Sequence, residues 1–305
     1  MRWQGFLAMT VLLAACASAG APPAGAQAPA VTPAPSMQDI LDHSPASDWR
    51  PLDPNNTLYM ELPTGRVIIE LSPDFSPEHV ENVRALARAH YWDNAAVIRE
   101  QDNYVVQWGR PEGDEHDRGQ ARTEIANAEY DRAAGSLPFT RLQDPDTYAA
   151  QTGFTNGFPA ARDGHGLTWM IHCYGVIGVA RDVPPSTGDG SELYAVNGQS
   201  PRNLDRNLAL VGRVVQGMEL LSSLKRGTEA LGFYATAPER TAITSVRLAS
   251  EVPAAQRTNL EALRTDSATF AQVIASRRTR TESFFVQPTG RINVCNVPLP
   301  VRPAR

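Results

Sequence analysis

Residues 97–109, Val97-Ile98-Arg99-Glu100-Gln101-Asp102-Asn103-Tyr104-Val105-Val106-Gln107-Trp108-Gly109, combine strand-forming and turn-forming residue types. The apolar residues at both ends are of types that favour strands, and the polar residues 100–103 are of types that favour tight turns. The stretch therefore predicts two short antiparallel strands joined by a hairpin turn.

Three side chains of different chemistry occur close together in this hairpin. Strict alternation of faces along a strand places Val97 with Arg99 on the first strand, and Val105 with Gln107 on the second. A guanidinium (Arg99), an aromatic ring (Tyr104) and a side-chain amide (Gln107) are therefore expected on one surface, where they form a candidate site.

Length and composition indicate a globular protein that contains β structure. The chain has 305 residues, of which 42% are hydrophobic, enough for one large or two small domains. Its 24 prolines and 22 glycines favour a loop-rich β protein over a helical bundle. The net charge is −5 and no basic stripe occurs, so we expect no nucleic-acid partner. The six histidines are scattered without the spacing of a metal site, and no metal or cofactor is expected.

The first 26 residues have the order of an export leader, with Arg2, a short apolar segment and then small residues. Two cleavage sites fit this leader equally well. Leu13-Ala14-Ala15-Cys16 is similar to a lipoprotein cleavage site, which would leave Cys16 lipidated, whereas Ala24-Gly25-Ala26 is typical of an ordinary signal-peptidase site. In both cases we expect an exported, periplasmic protein, and contact with a membrane only through a lipid on Cys16. Residues 27–53 are expected to be a linker, since residues 17–36 are nearly all Ala, Pro, Gly, Ser and Thr and cannot bury a core.

Hydrophobic periodicity in the middle of the chain predicts several strands and two helices. The predicted elements are a hairpin over residues 58–71, a helix from Ser76 to about residue 90, strands over 169–174, 176–181 and 191–196, a helix over 216–226 and a closing strand over 242–248. Residues from about 110 to 168 lack such periodicity and are expected to form a long, loop-rich insertion, in particular over 111–120 and 141–155. After residue 251 the spacing of apolar residues predicts a helix over 256–276, followed by an irregular tail.

These motifs together resemble the signature of the cyclophilin-type peptidyl-prolyl isomerases. In that family a strand with Phe-His-Arg precedes a Phe and then Gln-Gly-Gly, and Val97-Ile98-Arg99, Tyr104 and Gln107-Trp108-Gly109 occupy those places here. The most specific match is the run over residues 203–218, which is similar to the family's Leu-Asp-Gly…Phe-Gly-x-Val-x-x-Gly-Met. The resemblance implies a mainly β fold, a closed eight-stranded antiparallel barrel capped by two helices. That domain would span residues 54–250, with the insertion inside it and a helical extension and tail over 251–305.

The resemblance also implies an enzyme, a peptidyl-prolyl cis-trans isomerase that acts on proline-containing unfolded or folding polypeptides. Carried over by position, Arg99 would donate to the prolyl nitrogen of the twisted amide, and Gln107 would hold the neighbouring backbone. The substrate-binding positions carried over in the same way are Tyr104, Ala180, Leu193, Tyr194, Asn203, Leu204 and Leu208.

The candidate groove departs from the family pattern at several positions. Asn203 stands in place of a Trp and Leu208 in place of a His, while Glu192 and Arg181 bring charges to places that are neutral in the family. An alternative function therefore stays open, in which the barrel binds proline-containing or unfolded segments of the cell envelope, like a chaperone, with little or no turnover.

Two cysteines remain after the leader, Cys173 and Cys295. In an oxidising compartment they can form a disulfide, and two buried free thiols are the alternative. The sequence leaves both open.

Overall fold

The computed structural model describes residues 35–305 apart from 112, 115, 200 and 283, so the predicted leader and Cys16 lie outside the described residues. The helices are α1 (Met37–Asp42), α2 (Pro77–Arg88), α3 (Met218–Ser222) and α4 (Ala268–Thr279). The strands are β1 (Trp49–Pro51), β2 (Thr57–Leu62), β3 (Gly65–Leu71), β4 (Ala95–Gln101), β5 (Tyr104–Gly109), β6 (Arg132–Ala133), β7 (Thr140–Leu142), β8 (Gln151–Thr155), β9 (Phe158–Arg162), β10 (Leu167–Met170), β11 (Val176–Val179), β12 (Leu193–Asn197), β13 (Leu210–Gln216), β14 (Thr241–Ile243), β15 (Ser245–Leu248), β16 (Leu260–Leu263) and β17 (Val301–Pro303). Across the described residues, no helix is both long and apolar enough to cross a membrane.

Nine antiparallel strands form a nearly closed barrel, in the order β14-β4-β5-β12-β11-β13-β3-β2-β15. The two end strands are separated only by Thr244, whose backbone N–H donates to the carbonyl of Glu61 at 2.9 Å. Because β14 pairs with β4 and β15 pairs with β2, one interrupted segment of chain joins both edges of the sheet. Counted as one strand, that segment gives the eight strands expected from the sequence, and the predicted barrel is confirmed.

Helices close the barrel and bury its interior. Val80, Val83 and Leu86 of α2 pack on the same core as the inward-facing side chains of the strands. The backbone N–H groups of Glu78 and His79 at the start of α2 donate to the carboxylate of Glu129 at 3.0–3.1 Å, so the insertion caps this helix.

The second barrel helix, α3, is shorter than the helix predicted over residues 216–226. It ends at Ser222, and the hydroxyl groups of Ser222 and Ser223 donate to backbone carbonyls of their own turn at 3.5 Å. Serine competes with the helical backbone in this way, which the apolar spacing alone did not reveal.

The second part of the insertion, from Arg132 onward, folds as a five-stranded antiparallel sheet in the order β6-β10-β9-β8-β7. The described residues of 110–131 contain no helix or strand, in agreement with the loop predicted over 111–120. The loop predicted over residues 141–155 is therefore wrong, since it contains most of β7 and all of β8. These strands are difficult to recognise in the sequence because they contain many small residues. Gly153 of β8, for example, lies so close to β7 that a Cβ there would come within 2.2 Å of the Thr140 carbonyl oxygen.

Segments from both ends of the described chain pack on that sheet. Ile40 of α1, Trp49 of β1 and Phe270 of α4 share one hydrophobic core with Phe154 of the insertion. The linker predicted over residues 27–53 therefore has a folded second half, where Ser36 and Asp39 form a capping box at the start of α1. The helix predicted over 256–276 is also partly wrong, because residues 260–263 form β16 between β1 and β17.

A disulfide ties the tail to the insertion side of the molecule. The sulfur atoms of Cys173 and Cys295 are joined, and the two residues are 122 positions apart in sequence. Of the two alternatives left open by the sequence, the structure contains the disulfide.

Candidate functional site

A groove of about 880 Å³ lies on the outer face of the barrel, along β4, β5 and β12. The loop over residues 181–189, the turn over 204–208 and the segment over 231–233 form its other walls, together with residues 123–125 of the insertion. Seven of the predicted site residues line it: Arg99, Tyr104, Gln107, Ala180, Tyr194, Leu204 and Leu208.

Arg99 reaches this groove because of a bulge in β4. Val97 pairs with Trp108 and Arg99 pairs with Gln107, so Ile98 is an extra residue opposite β5. The prediction that Val97 and Arg99 share a face is therefore wrong. Val97 is fully buried in the barrel core, whereas the guanidinium lies in the groove.

The guanidinium of Arg99 is held by three acceptors. Its Nε donates to the carbonyl of Leu231 at 2.6 Å, its Nη1 donates to the side chain of Gln107 at 3.2 Å, and its Nη2 donates to the side chain of Gln101. Burial lowers the pKa of Arg99, but a guanidinium remains charged at any physiological pH. Two of its five N–H groups have no acceptor among the described residues, and these are available to a ligand.

Aromatic rings flank the same cation. The guanidinium carbon of Arg99 lies 5.5 Å from the ring centre of Tyr104 and 5.2 Å from that of Phe233. Such contacts restrict the guanidinium plane and add cation–π attraction. Arg99 is therefore a fixed donor rather than a free surface arginine.

Gln107 lies between Arg99 and an acidic side chain. Its oxygen accepts from Arg99, and its Nε2 donates to Glu192 at 2.7 Å. Burial raises the pKa of Glu192, the hydrogen bond from Gln107 opposes this, and the negative charges of Asp182 and Asp189 raise it further. The ionised form of Glu192 therefore carries a free-energy cost in the folded protein.

We expect Glu192→Gln to stabilise the protein at neutral pH, because the amide keeps a hydrogen-bonding oxygen and removes the buried charge. The pKa of Glu192 is raised in the folded wild type. The free-energy cost of its negative charge is therefore fully present above that pKa and absent below the ordinary pKa of glutamate. The gain in unfolding free energy should therefore shrink as the pH falls. Urea unfolding of both proteins between pH 4 and pH 8 measures it. Glu124→Gln, at an exposed carboxylate of the same groove, is the control and should change little. A gain that is constant with pH would contradict the prediction.

Tyr194 forms the aromatic floor of the groove. Only 4% of the residue is exposed, and its ring packs with Val105 and Val196 on the outer face of the barrel, against Ala180 and Leu208. The hydroxyl group lies 2.9 Å from Nε2 of His172, and burial raises its pKa well above the ordinary value. Tyr194 therefore contributes as a neutral ring in a fixed orientation.

Gly178 makes room for this ring. A Cβ at residue 178 would lie 2.2 Å from the ring and hydroxyl of Tyr194, so Gly178→Ala should push the ring into the groove. We expect a loss of about 1–3 kcal/mol in unfolding free energy, as for other overpacked sites, together with weaker peptide binding. Thermal unfolding and peptide titration measure both effects. Gly135→Ala is the control, since nothing lies within 4 Å of a Cβ there. Equal binding by the wild type and Gly178→Ala would contradict this account of Tyr194.

Two predicted binding residues do not line the groove. Leu193 is 2% exposed and faces the barrel core, because it alternates with Tyr194 along β12. Asn203 is exposed on the turn that carries Leu204 and does not belong to the lining.

Sequence reasoning also missed three residues, Leu231, Phe233 and His172. The first two lie between predicted elements, in a segment without periodicity, and His172 lies in a stretch for which the sequence predicts only a strand. The only sign of Leu231 and Phe233 in the sequence is that these two apolar residues flank Gly232.

Comparison with known proteins assigns this arrangement to a family. The family described as cyclophilin type peptidyl-prolyl cis-trans isomerase/CLD matches residues 57–247. Curated relatives from Brucella suis biovar 1 and Brucella abortus, both named probable peptidyl-prolyl cis-trans isomerase, are 26% and 25% identical over 178 residues, which is 58% of this chain and 76% of each relative. The crystal structure of the cyclophilin AquaCyp293 from Hirschia baltica has a TM-score of 0.65 and 24% identity, over 89% of this chain and 99% of that one.

Proposed function

This chain belongs to the cyclophilin-type peptidyl-prolyl cis-trans isomerase family, and we propose that Arg99 drives its reaction by stabilising the twisted X-Pro amide. The observation that carries the proposal is the guanidinium itself, held by Leu231, Gln101 and Gln107 with two N–H groups left for a ligand in the groove.

The chemistry requires no nucleophile. Amide resonance gives rotation about the peptide bond a barrier of roughly 20 kcal/mol. In the twisted state the prolyl nitrogen regains a lone pair, which can accept a hydrogen bond that the planar amide cannot accept. A donor fixed beside that nitrogen therefore binds the transition state more strongly than the ground state, and this difference is catalysis.

The other groove residues would hold the two sides of the rotating bond. The pyrrolidine ring fits the apolar floor formed by Tyr194, Leu208 and Ala180, with Tyr104 beside Arg99. Gln107 would bind the substrate backbone once a peptide replaces one of its contacts to Glu192 or Arg99. When the protein holds one side of the X-Pro bond in this way, the other side can move only by rotation about that bond.

Exchange NMR on a short X-Pro peptide tests the proposal. We expect the protein to accelerate cis–trans exchange when present at a small fraction of the peptide concentration. Chemical-shift changes without faster exchange would overturn the proposed catalytic role of Arg99.

A second function, peptide binding with slow turnover, is favoured by one observation. The Nε2 of Gln107 is already engaged by Glu192, so a substrate backbone has to compete with that contact. In the same NMR experiment this alternative predicts saturable binding and an unchanged exchange rate.

We further propose that the protein acts on polypeptides that fold after export, in the periplasm. The support is the leader-like order of residues 1–26 and the disulfide between Cys173 and Cys295, which suits an oxidising compartment. The mass of the mature protein tests this. A lipidated N-terminus at Cys16 or a free one at Gln27 agrees with export, and an intact Met1 contradicts it.

A further inference from the structure

A buried series of polar side chains, called here the Tyr194–Asp146 network, runs from the groove into the insertion. The hydroxyl of Tyr194 lies 2.9 Å from Nε2 of His172, and Nδ1 of His172 lies 2.9 Å from Oδ1 of Asp205. Nε of Arg202 donates to Oδ2 of Asp205 at 2.5 Å, and its two Nη atoms donate to Asp146 at 2.8 and 3.3 Å. The four side chains behind Tyr194 are between 0% and 7% exposed.

The hydrogen bonds of this network fix the orientation of the His172 ring. Oδ1 of Asp205 also accepts the backbone N–H of His172 at 3.0 Å, so it is an acceptor, and Nδ1 of His172 must be the donor to it. On the other side of the ring, Nε2 lies within hydrogen-bond distance of the Tyr194 hydroxyl. Burial opposes ionisation of Asp205, but the hydrogen bond from His172 and the charge of Arg202 lower its pKa.

The network restrains two walls of the groove at once. Tyr194 is the floor, and Arg202 and Asp205 belong to the turn that carries Leu204. A buried, fully partnered network has one low-energy arrangement, since each displaced group would leave another unpaired. Without the network, only apolar packing would hold the Tyr194 ring at the edge of the groove.

We propose that His172, Asp205, Arg202 and Asp146 are positioning residues for the isomerase site, and that the insertion takes part in catalysis through Asp146. The inference rests on the proposed role of Tyr194 in holding the pyrrolidine ring. Asp146 itself does not line the groove, so any effect it has on the reaction must pass through Arg202 and its partners.

A purely structural role for Asp146 is the competing explanation, because breaking any buried ion pair destabilises a protein. The chain offers a matched control. Asp144, two residues away, is 7% exposed and pairs with Arg278 of α4 at 2.6 Å, without contact to the network. Asp144→Asn and Asp146→Asn thus remove the same charge from carboxylates of similar exposure in one loop, 7% and 4%, although Arg278 is 28% exposed and Arg202 only 4%.

The experiment is a double-mutant cycle on the full chain, with prolyl isomerisation of a peptide as the readout and thermal unfolding as the check on stability. We expect both single Asn variants to lower the Tm, but only Asp146→Asn to raise KM, by about fivefold to tenfold, the size typical of coupled networks. Tyr194→Phe keeps the ring and removes the link to His172. Combined with it, Asp146→Asn should raise KM by a smaller factor than it does alone, because only its effect through the turn that carries Leu204 remains. Asp144→Asn should act the same in both backgrounds.

Each result has a definite meaning. If Asp146→Asn and Tyr194→Phe act independently on KM, or if Asp146→Asn behaves like Asp144→Asn, the inference is overturned. An inactive wild type would instead overturn the proposed function, so the two failures are distinguishable. Should Asp146→Asn fail to fold, His172→Gln takes its place in the cycle and is judged by the same two results.

Discussion

Replacing Arg99 by alanine is expected to lower kcat/KM for prolyl isomerisation by about a hundredfold or more, the loss that follows removal of a fixed donor from a transition state. The fold should survive, because Arg99 lies outside the barrel core and Val97 fills that core instead. Peptide isomerisation kinetics measure the loss, and circular dichroism checks the fold.

Two further variants make the Arg99 prediction specific. Arg99→Lys keeps the charge but loses the fork of donors that Leu231, Gln107 and Gln101 hold, and it should recover only a small part of the rate. Arg66→Ala removes another arginine that lies over an aromatic ring, 4.4 Å from the ring centre of Tyr59, but it belongs to β3 and does not line the groove. It should leave the rate unchanged. A folded Arg99→Ala variant with the wild-type rate would contradict the mechanism.

Loss of the disulfide is expected to have the largest effect on stability. Because Cys173 and Cys295 are 122 positions apart in sequence, the bridge closes a long loop in the unfolded chain. The chain-entropy account gives about 5 kcal/mol for a loop of this length, and native bridges commonly contribute about 2–5 kcal/mol. Urea unfolding of a variant with both cysteines replaced by alanine should show a loss in that range.

Thiol chemistry provides the control for the disulfide. The unreduced, unfolded mature protein without a lipid should have no reactive thiol, and reduction should release two. Addition of a reductant to the wild type should also lower its stability to that of the double alanine variant. Two reactive thiols without reduction would contradict the bridge.

The barrel could be predicted from the sequence because its signals are local and repeated. Alternation in the hairpin and the Ser76-Pro77 start of α2 each indicate one element, and their order matches one fold. The bulge at Ile98 could not be predicted, since one extra residue in a strand leaves no mark on composition. It nevertheless decides that Arg99 faces the groove rather than the core.

The second core could not be predicted for a different reason. Its strands are short and rich in small residues, such as Ala160 and Ala161 of β9, which are fully buried but give little apolar periodicity. They are stable because segments distant in sequence cover them, as Trp49 and Phe270 do. Local patterns carry no information on such contacts.

The candidate site shows the same division between local and distant information. Arg99, Tyr104 and Gln107 could be found because one hairpin contains all three. The partners that fix them, Leu231 for Arg99 and His172 for Tyr194, come from other parts of the chain and meet the site only after folding.

Proline-limited refolding tests the central claim most directly. A test protein whose slow phase is set by one X-Pro bond is refolded with wild-type protein, with Arg99→Ala, or alone. The account predicts that substoichiometric wild type shortens the slow phase in proportion to its concentration, while Arg99→Ala leaves it at the uncatalysed rate. An unchanged slow phase with the wild type, or equal acceleration by both proteins, would contradict it.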